Sequence, residues 1–174
     1  MTILYILAGI ILLILILGII APKNYDVYRE ITIDKPNKEV FNYLKSLNNQ
    51  AHWSPWEEKD PNMHKEFRGT DGEVGSVSAW KGNKDVGEGE QEITKIIDGE
   101  RIEGQLRFFK PWKSEADCYF NTTSKGKDST VVRWGFSGKN KFPFSIFMLF
   151  MNMDKAVGGD FEKGLAKLKT ILEK

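Results

Sequence analysis

The chain has 174 residues, of which 41% are hydrophobic and 28% charged, with 25 basic against 24 acidic side chains. A formal net charge of +1 argues against a nucleic-acid partner, which usually needs a concentrated basic surface, and a single cysteine excludes both an internal disulfide and a thiolate metal cluster. Two histidines leave little material for a zinc site, and no cofactor motif is present, so neither metal nor cofactor is expected.

The mean hydropathy is negative, as in an ordinary soluble protein, but the average hides two unlike parts. Residues 3–21, ILYILAGIILLILILGIIA, carry no charge and no polar stripe. As a helix they would extend about 28 Å, close to the hydrocarbon thickness of a bilayer. A cleavable signal peptide would want a basic start, a shorter apolar run and small residues before the cut. None of these is present, and residues 1–22 therefore read as an uncleaved transmembrane anchor. Lys23, Arg29, Lys35 and Lys38 follow the run and no Lys or Arg precedes it, which places residues 23–174 on the cytoplasmic side of a cell membrane. Those residues hold every charged side chain of the chain and are enough for one domain with a substantial core.

Within the domain, 25–34 alternate with Val27, Ile31 and Ile33 on one face, which predicts a half-buried strand. Arg29 shares the parity of Val27 and Ile31. Asp34-Lys35-Pro36-Asn37 gives turn chemistry, and Val40, Phe41, Leu44 and Leu47 recur at helical spacing over 37–48. A loop rich in Trp and Pro follows at 51–62. From 63 to 137 the period is two, with strands expected at 64–68, 74–81, 87–97, 100–109, 115–123 and 129–137. Asp98-Gly99, between two alternating runs, is the strongest hairpin signal. After Pro143 the period becomes helical, with Gly158-Gly159 expected to kink or break the helix and Asp160 to cap its second half. The fold class is α+β: an N-terminal transmembrane helix, then a curved antiparallel sheet of about seven strands with a short helix after the first strand and a long C-terminal helix packed across it.

That order, with YDVYREITIDKPNKEVFNYL, HWSPWEEKDP, FRGTDGEVGSVSAWKG, GEGEQEI and MDKAVGGDFEKGLAKLK inside it, resembles the START-like superfamily, also called SRPBCC or helix-grip. It looks most like the polyketide cyclase/dehydrase and lipid-transport branch and spans about 25–170. The resemblance implies a deep apolar cavity between sheet and C-terminal helix that binds a hydrophobic small molecule or lipid. Fold alone argues weakly for any reaction.

Several residues are candidates for lining such a cavity. Trp53 and Trp56 flank Ser54-Pro55 and form either a gate over the mouth or a plug at one end of the sheet; Trp112 in KPWK carries the same alternatives, and all three also suit a membrane interface. Trp80 shares a face with Val74, Ser76 and Ser78, and Trp134 with Val132 and Phe136, so each is a cavity wall or plain core. Phe147, Met148 and Met151 line an adaptable pocket, or pack in the core or against anchor and bilayer. Glu88, Glu90 and Glu92 fall on the solvated side and Gln91 opposite, where it offers a ligand hydrogen bond. Arg29 pairs with a carboxylate or a ligand oxygen, or sits at a strand end. No catalytic constellation can be assembled: His52, His64 and Cys118 are scattered, and Cys118 alternates with Ala116 and Phe120 as a small buried hydrophobe. The leading expectation is membrane-tethered binding of a hydrophobic small molecule or lipid. The alternatives are a cyclase or dehydratase acting on a polyketide-like substrate and a non-catalytic interaction module whose cavity is filled. Oligomeric state is not legible.

Overall fold

The computed structural model describes residues 1–174 and opens with α1, an uninterrupted helix over Thr2–Ile20. This helix is long and apolar enough to cross a membrane, and only 6% of its most apolar stretch is buried against the rest of the protein. Gly18 is its one buried residue, because the Phe142 ring lies where a Cβ would stand. Ala21, restricted by the following Pro22, takes an extended conformation and turns the chain into β1.

Seven strands then form one antiparallel sheet: β1 (Asn24–Ile33), β2 (His64–Arg68), β3 (Val77–Lys81), β4 (Glu88–Ile97), β5 (Arg101–Lys110), β6 (Ser114–Ser124) and β7 (Thr130–Lys139). Their order is β1-β7-β6-β5-β4-β3-β2, a meander closed on one side by the first strand. Two register irregularities in β4, between Glu88 and Gly89 and between Ile93 and Lys95, add the twist that curves the sheet. Gly99, at φ +71°, takes the left-handed conformation that the β4–β5 turn requires. The sheet has two distinct ends. One gathers the start of β1, the β5–β6 turn and the end of β7; the other gathers the 98–100 and 125–129 turns.

Helices α2 (Asn37–Leu44) and α3 (Pro55–Lys59) link β1 to β2, and α4 (Met153–Leu172) closes the chain along β1 and β7. The core is built from the inner face of the sheet, including Val27, Ile33, Ile93, Ile102, Phe120, Val132 and Trp134, against Val40, Phe41 and Leu44 of α2 and Phe161, Leu165 and Leu168 of α4.

Four local expectations change. The helix expected over 37–48 ends at Leu44, and a 3₁₀ turn occupies Asn48–His52. The Leu47 N–H donates to the Asp71 carboxylate and the Asn49 side-chain amide takes the Tyr43 carbonyl, so both groups that would continue the helix are diverted. The 51–62 loop contains one helical turn, α3, with Pro55 in the first position, where its missing N–H costs nothing. The strand expected from residue 74 begins at Val77; Gly75, at φ +88°, and the Ser76 hydroxyl bonded to the Glu73 carbonyl hold 73–76 in a turn that leaves Val74 exposed. Finally, α4 runs unbroken through Gly158-Gly159. It starts at Met153, where the Asn152 side chain accepts from the Lys155 N–H, and Asp160 serves as an ion-pair partner of Lys59 instead of a cap.

Candidate functional site

The site is built on the inner face of the sheet, whose membership follows from strand register. Arg29 opposes Trp134, which opposes Phe120, which opposes Ile102, so these four share a face. Towards the end nearest α1 the same face continues through Phe136, Cys118, Ala116, Leu106, Phe108, Gln91, Ser78 and Trp80. Side chains on that stretch form an apolar wall with a polar patch at its β2–β4 side.

The centre of the wall is filled by aromatic rings. Trp134 stacks near Phe161 of α4 with centroids 4.4 Å apart, and Trp53 and Trp56 meet it edge-on at 4.9 and 5.6 Å. Such tilted and edge-to-face pairs bring the positive ring edge to the negative face and stabilise beyond area burial. Gly164 of α4 packs directly against both the Trp134 ring and Pro55 of α3, so the two helices and the sheet converge at one point. As a result, the interior space lined by Leu44, Leu47, Gln50, Gln91, Ile93 and Ile102 is about 10 Å³. That is roughly one water molecule, against the ~300 Å³ or more of a ligand pocket. On the outer face an open polar cleft of about 770 Å³ lies between Glu30, Glu100, Arg101, Asn121 and Arg133, but its cations are already engaged. Arg133 pairs with Glu30, and Arg101 with Glu103 and Asn121.

The polar patch is the chemically distinctive part of the wall. Trp80 lies across Gly89, where a Cβ would stand 2.7 Å from its ring, and meets Phe108 edge-on at 5.9 Å. Ser78 opposes Gln91, and Lys65 opposes Trp80 and pairs with Glu57, the residue after Trp56. Two indole N–H groups, on Trp53 and Trp80, are buried with no hydrogen-bond partner among the described residues. A buried donor left unmade costs about 1–3 kcal/mol.

α4 is held over this wall by ion pairs. Arg29 donates Nε to Glu162 at 2.6 Å and Nη1 to Asp154 at 2.6 Å, while its guanidinium occupies the space above Gly158. The hydrogen bond with Asp154, then that with Glu162, raises the Arg29 pKa above its ordinary value, and Arg29 in turn holds the Asp154 carboxyl below its own. On the other flank, Lys59 bonds Asp160 and Lys167 bonds Glu58, tying α4 to α3. The Lys167 hydrogen bond lowers the Glu58 pKa.

The expected lining residues are thus divided. Trp53, Trp56 and Trp134 come together in the aromatic cluster; Trp80 and Gln91 form the patch; Arg29 joins sheet to helix. Trp112, Phe147 and Met151 are exposed beside the end of α1, with Met148 half-buried. Lys65, Phe108 and Phe161 were not singled out from the sequence. Lys65 and Phe108 were legible from strand parity once β2 and β5 are aligned with β3 and β4; Phe161 needed the packing of α4. For chemistry, burial pushes the Cys118 thiol up to about 12, with Asp117 adding to it, which makes it a poor nucleophile. Burial first, and then Asp26, raises the Tyr119 hydroxyl to about 12, but it lies on the outer face. His52 Nδ1 lies 3.5 Å from the Tyr43 hydroxyl, and His64 is exposed on β2. No three His, Cys, Asp or Glu side chains are grouped to hold a metal ion among the described residues.

No protein-family model matches the chain, and no curated protein sequence does. Solved structures do. The norcoclaurine synthase of Thalictrum flavum, in complex with dopamine and hydroxybenzaldehyde, superposes with a TM-score of 0.63 at 12% identity over 90% of this chain and 91% of that one. The fold is the helix grip. The Mll3558 protein of Rhizobium loti gives 0.61 at 17% identity over 84% of this chain and 96% of its own. DynU16, from the dynemicin biosynthetic locus, gives 0.58 at 13% over 86% of this chain and 47% of its own. In this helix grip the sheet, α2 and α4 correspond to the grip, and α1 precedes it.

Proposed function

We propose that the protein binds a hydrophobic small molecule or lipid between the inner face of the sheet and α4, and that α1 tethers this domain to a membrane. The observation that carries the reading is the patch around Trp80: an apolar wall of Leu106, Phe108 and Ala116 with a buried, unpartnered indole N–H beside Gln91, Ser78 and Lys65. Apolar walls with a few convergent polar groups are the ordinary composition of a small-molecule site. A ligand oxygen accepting from Trp80 Nε1 would relieve the cost of that orphan donor, and the apolar body of the ligand would replace water along the wall. The ligands named for the Thalictrum enzyme are small aromatic molecules that carry oxygen atoms able to accept a hydrogen bond. The tether would keep the domain within reach of a membrane-dissolved ligand.

The test is uptake of a fluorescent fatty acid by the full chain in lipid nanodiscs, compared with Trp80→Phe. Phenylalanine keeps an aromatic ring on this face and removes the donor together with the outer part of the indole that lies on Gly89. Affinity should weaken by about threefold to tenfold, the worth of one hydrogen bond. Saturable uptake that Trp80→Phe leaves unchanged would move the site away from the patch. No uptake at all would favour the filled domain as an interaction module, the reading that its 10 Å³ interior supports.

A further inference from the structure

The end of the sheet nearest α1 combines lysines with exposed aromatic side chains. Four segments meet there: 22–24 after α1, 82–87 between β3 and β4, 109–113 around the β5–β6 turn, and 139–152 between β7 and α4. Together they contain six lysines (Lys23, Lys84, Lys110, Lys113, Lys139, Lys141) and one acidic residue, Asp85. They also hold large apolar side chains in the open: Trp112 is 71% exposed, Phe142 54%, Phe150 82% and Met151 49%. The opposite end, at 98–100 and 125–129, balances Asp98, Glu100 and Asp128 against Lys125 and Lys127 and carries no aromatic residue.

Two contacts fix this end to the foot of α1. The Asn140 N–H donates to the Lys23 carbonyl at 2.7 Å, and the Phe142 ring covers Gly18. If α1 crosses a bilayer, these residues stand within a turn or so of where the helix leaves the hydrocarbon. Aromatic side chains prefer that interfacial depth, and lysines there gain from anionic headgroups at roughly fivefold each, the equivalent of ~1 kcal/mol.

We propose that this end of the domain is seated on the surface of the same bilayer, through Trp112, Phe142 and Phe150 at the interface and Lys113, Lys139 and Lys141 at anionic lipid. The inference rests on the reading of α1 as a membrane span. Lys110 is already paired with Glu88 and contributes less. Seating turns the β5–β6 turn, and with it the Phe108 end of the inner wall, towards the lipid. A membrane-dissolved ligand then reaches the wall without crossing water.

Spin labels on the full chain in vesicles test this. Cys118 is buried and its thiol is suppressed, so an introduced cysteine labels selectively. Labels at Ile11→Cys in α1, Met151→Cys at the seated end and Lys127→Cys at the opposite end are read by their relative access to oxygen and to a water-soluble nickel chelate. In phosphatidylcholine–phosphatidylserine vesicles, positions 11 and 151 should both favour oxygen and position 127 the nickel chelate. In the Lys113→Glu, Lys139→Glu, Lys141→Glu background, or in phosphatidylcholine alone, position 151 should shift to the aqueous value while position 11 does not. A lipidic label at 11 with an aqueous label at 151 in every vesicle overturns the seating and leaves the span intact. An aqueous label at 11 removes the span and the seating together. A label at 151 that is lipidic regardless of charge overturns the role of anionic lipid, and one shielded from both probes assigns the surface to a protein contact instead.

Discussion

Gly159 and Gly164 sit in the same helix and have opposite surroundings. A Cβ on Gly159 would meet nothing within 4 Å, so alanine there removes only the conformational freedom of glycine. Gly159→Ala should stabilise by about 0.5–1 kcal/mol, the ordinary helix-propensity difference. A Cβ on Gly164 would lie 2.7 Å from the Trp134 ring and 3.1 Å from Pro55, both immobilised in the aromatic cluster. Overpacking of that kind costs roughly 1–3 kcal/mol and outweighs the gain in propensity. Thermal unfolding of the two variants should therefore move the midpoint in opposite directions; a common upward shift would show that the cluster has slack. Neither outcome is readable from the letters GGDFEKG. It is set by which ring lies beneath each position.

At the scale of elements, α4 is held to the sheet and to α3 chiefly at its polar margins. Asp154, Glu58 and Glu173 all titrate below their ordinary values, because Arg29, Lys167 and the Asp34 N–H respectively bond the ionised form. A carboxylate depressed on folding stabilises fully above its ordinary pKa, 3.8 for Asp154 and 4.5 for the two glutamates, and loses that contribution as pH falls through the lower folded value. Amide exchange across 153–172 should thus stay slow at neutral pH and accelerate below about pH 4, ahead of the β5 and β6 amides, whose strands α4 does not run along. Loss of both sets at one pH would mean that helix and sheet open as a unit. The sheet itself was legible: period-two runs and the turns between them predict β2 and β4–β7 to within one residue at every boundary but one end of β7, because each residue's face is decided locally. Arg29 was legible as an inward-facing charge, yet Asp154 and Glu162 lie 125 and 133 residues away, and no periodicity connects them. The unbroken α4 was missed for a related reason, since packing on β1 and the Asn152 cap outweigh ~1 kcal/mol per glycine. Alternation also brought Trp80, Gln91 and Trp134 to one face. It does not say that Trp53 and Phe161 fill the middle of that face, which depends on how α3 and α4 descend on it.

On the scale of the whole molecule, the interior poses a volume problem that motion must solve. About 10 Å³ is free beside the aromatic cluster where a bound small molecule needs hundreds, so a ligand that passes beneath the cluster must first displace α4 or α3, which carry Phe161 and Trp56. α4 contributes Phe161 to the aromatic lid, and its N-terminal half is held by Arg29, a side chain that is 26% exposed and spans two carboxylates. Its opening should therefore limit uptake. Asp154→Asn removes one of the two charged anchors without touching the wall. An ion pair this exposed contributes modestly, so the open population, and with it the uptake rate, should rise by no more than a few-fold. Dissociation should accelerate in step, leaving affinity nearly unchanged, since the variant alters the door and not the site. Stopped-flow uptake of a fluorescent fatty acid by full chain in nanodiscs separates the two rates. If Asp154→Asn leaves both rates unaltered while Lys59→Met raises them, the moving part is α3, whose bond to α4 runs from Lys59 to Asp160, and α4 stays closed throughout.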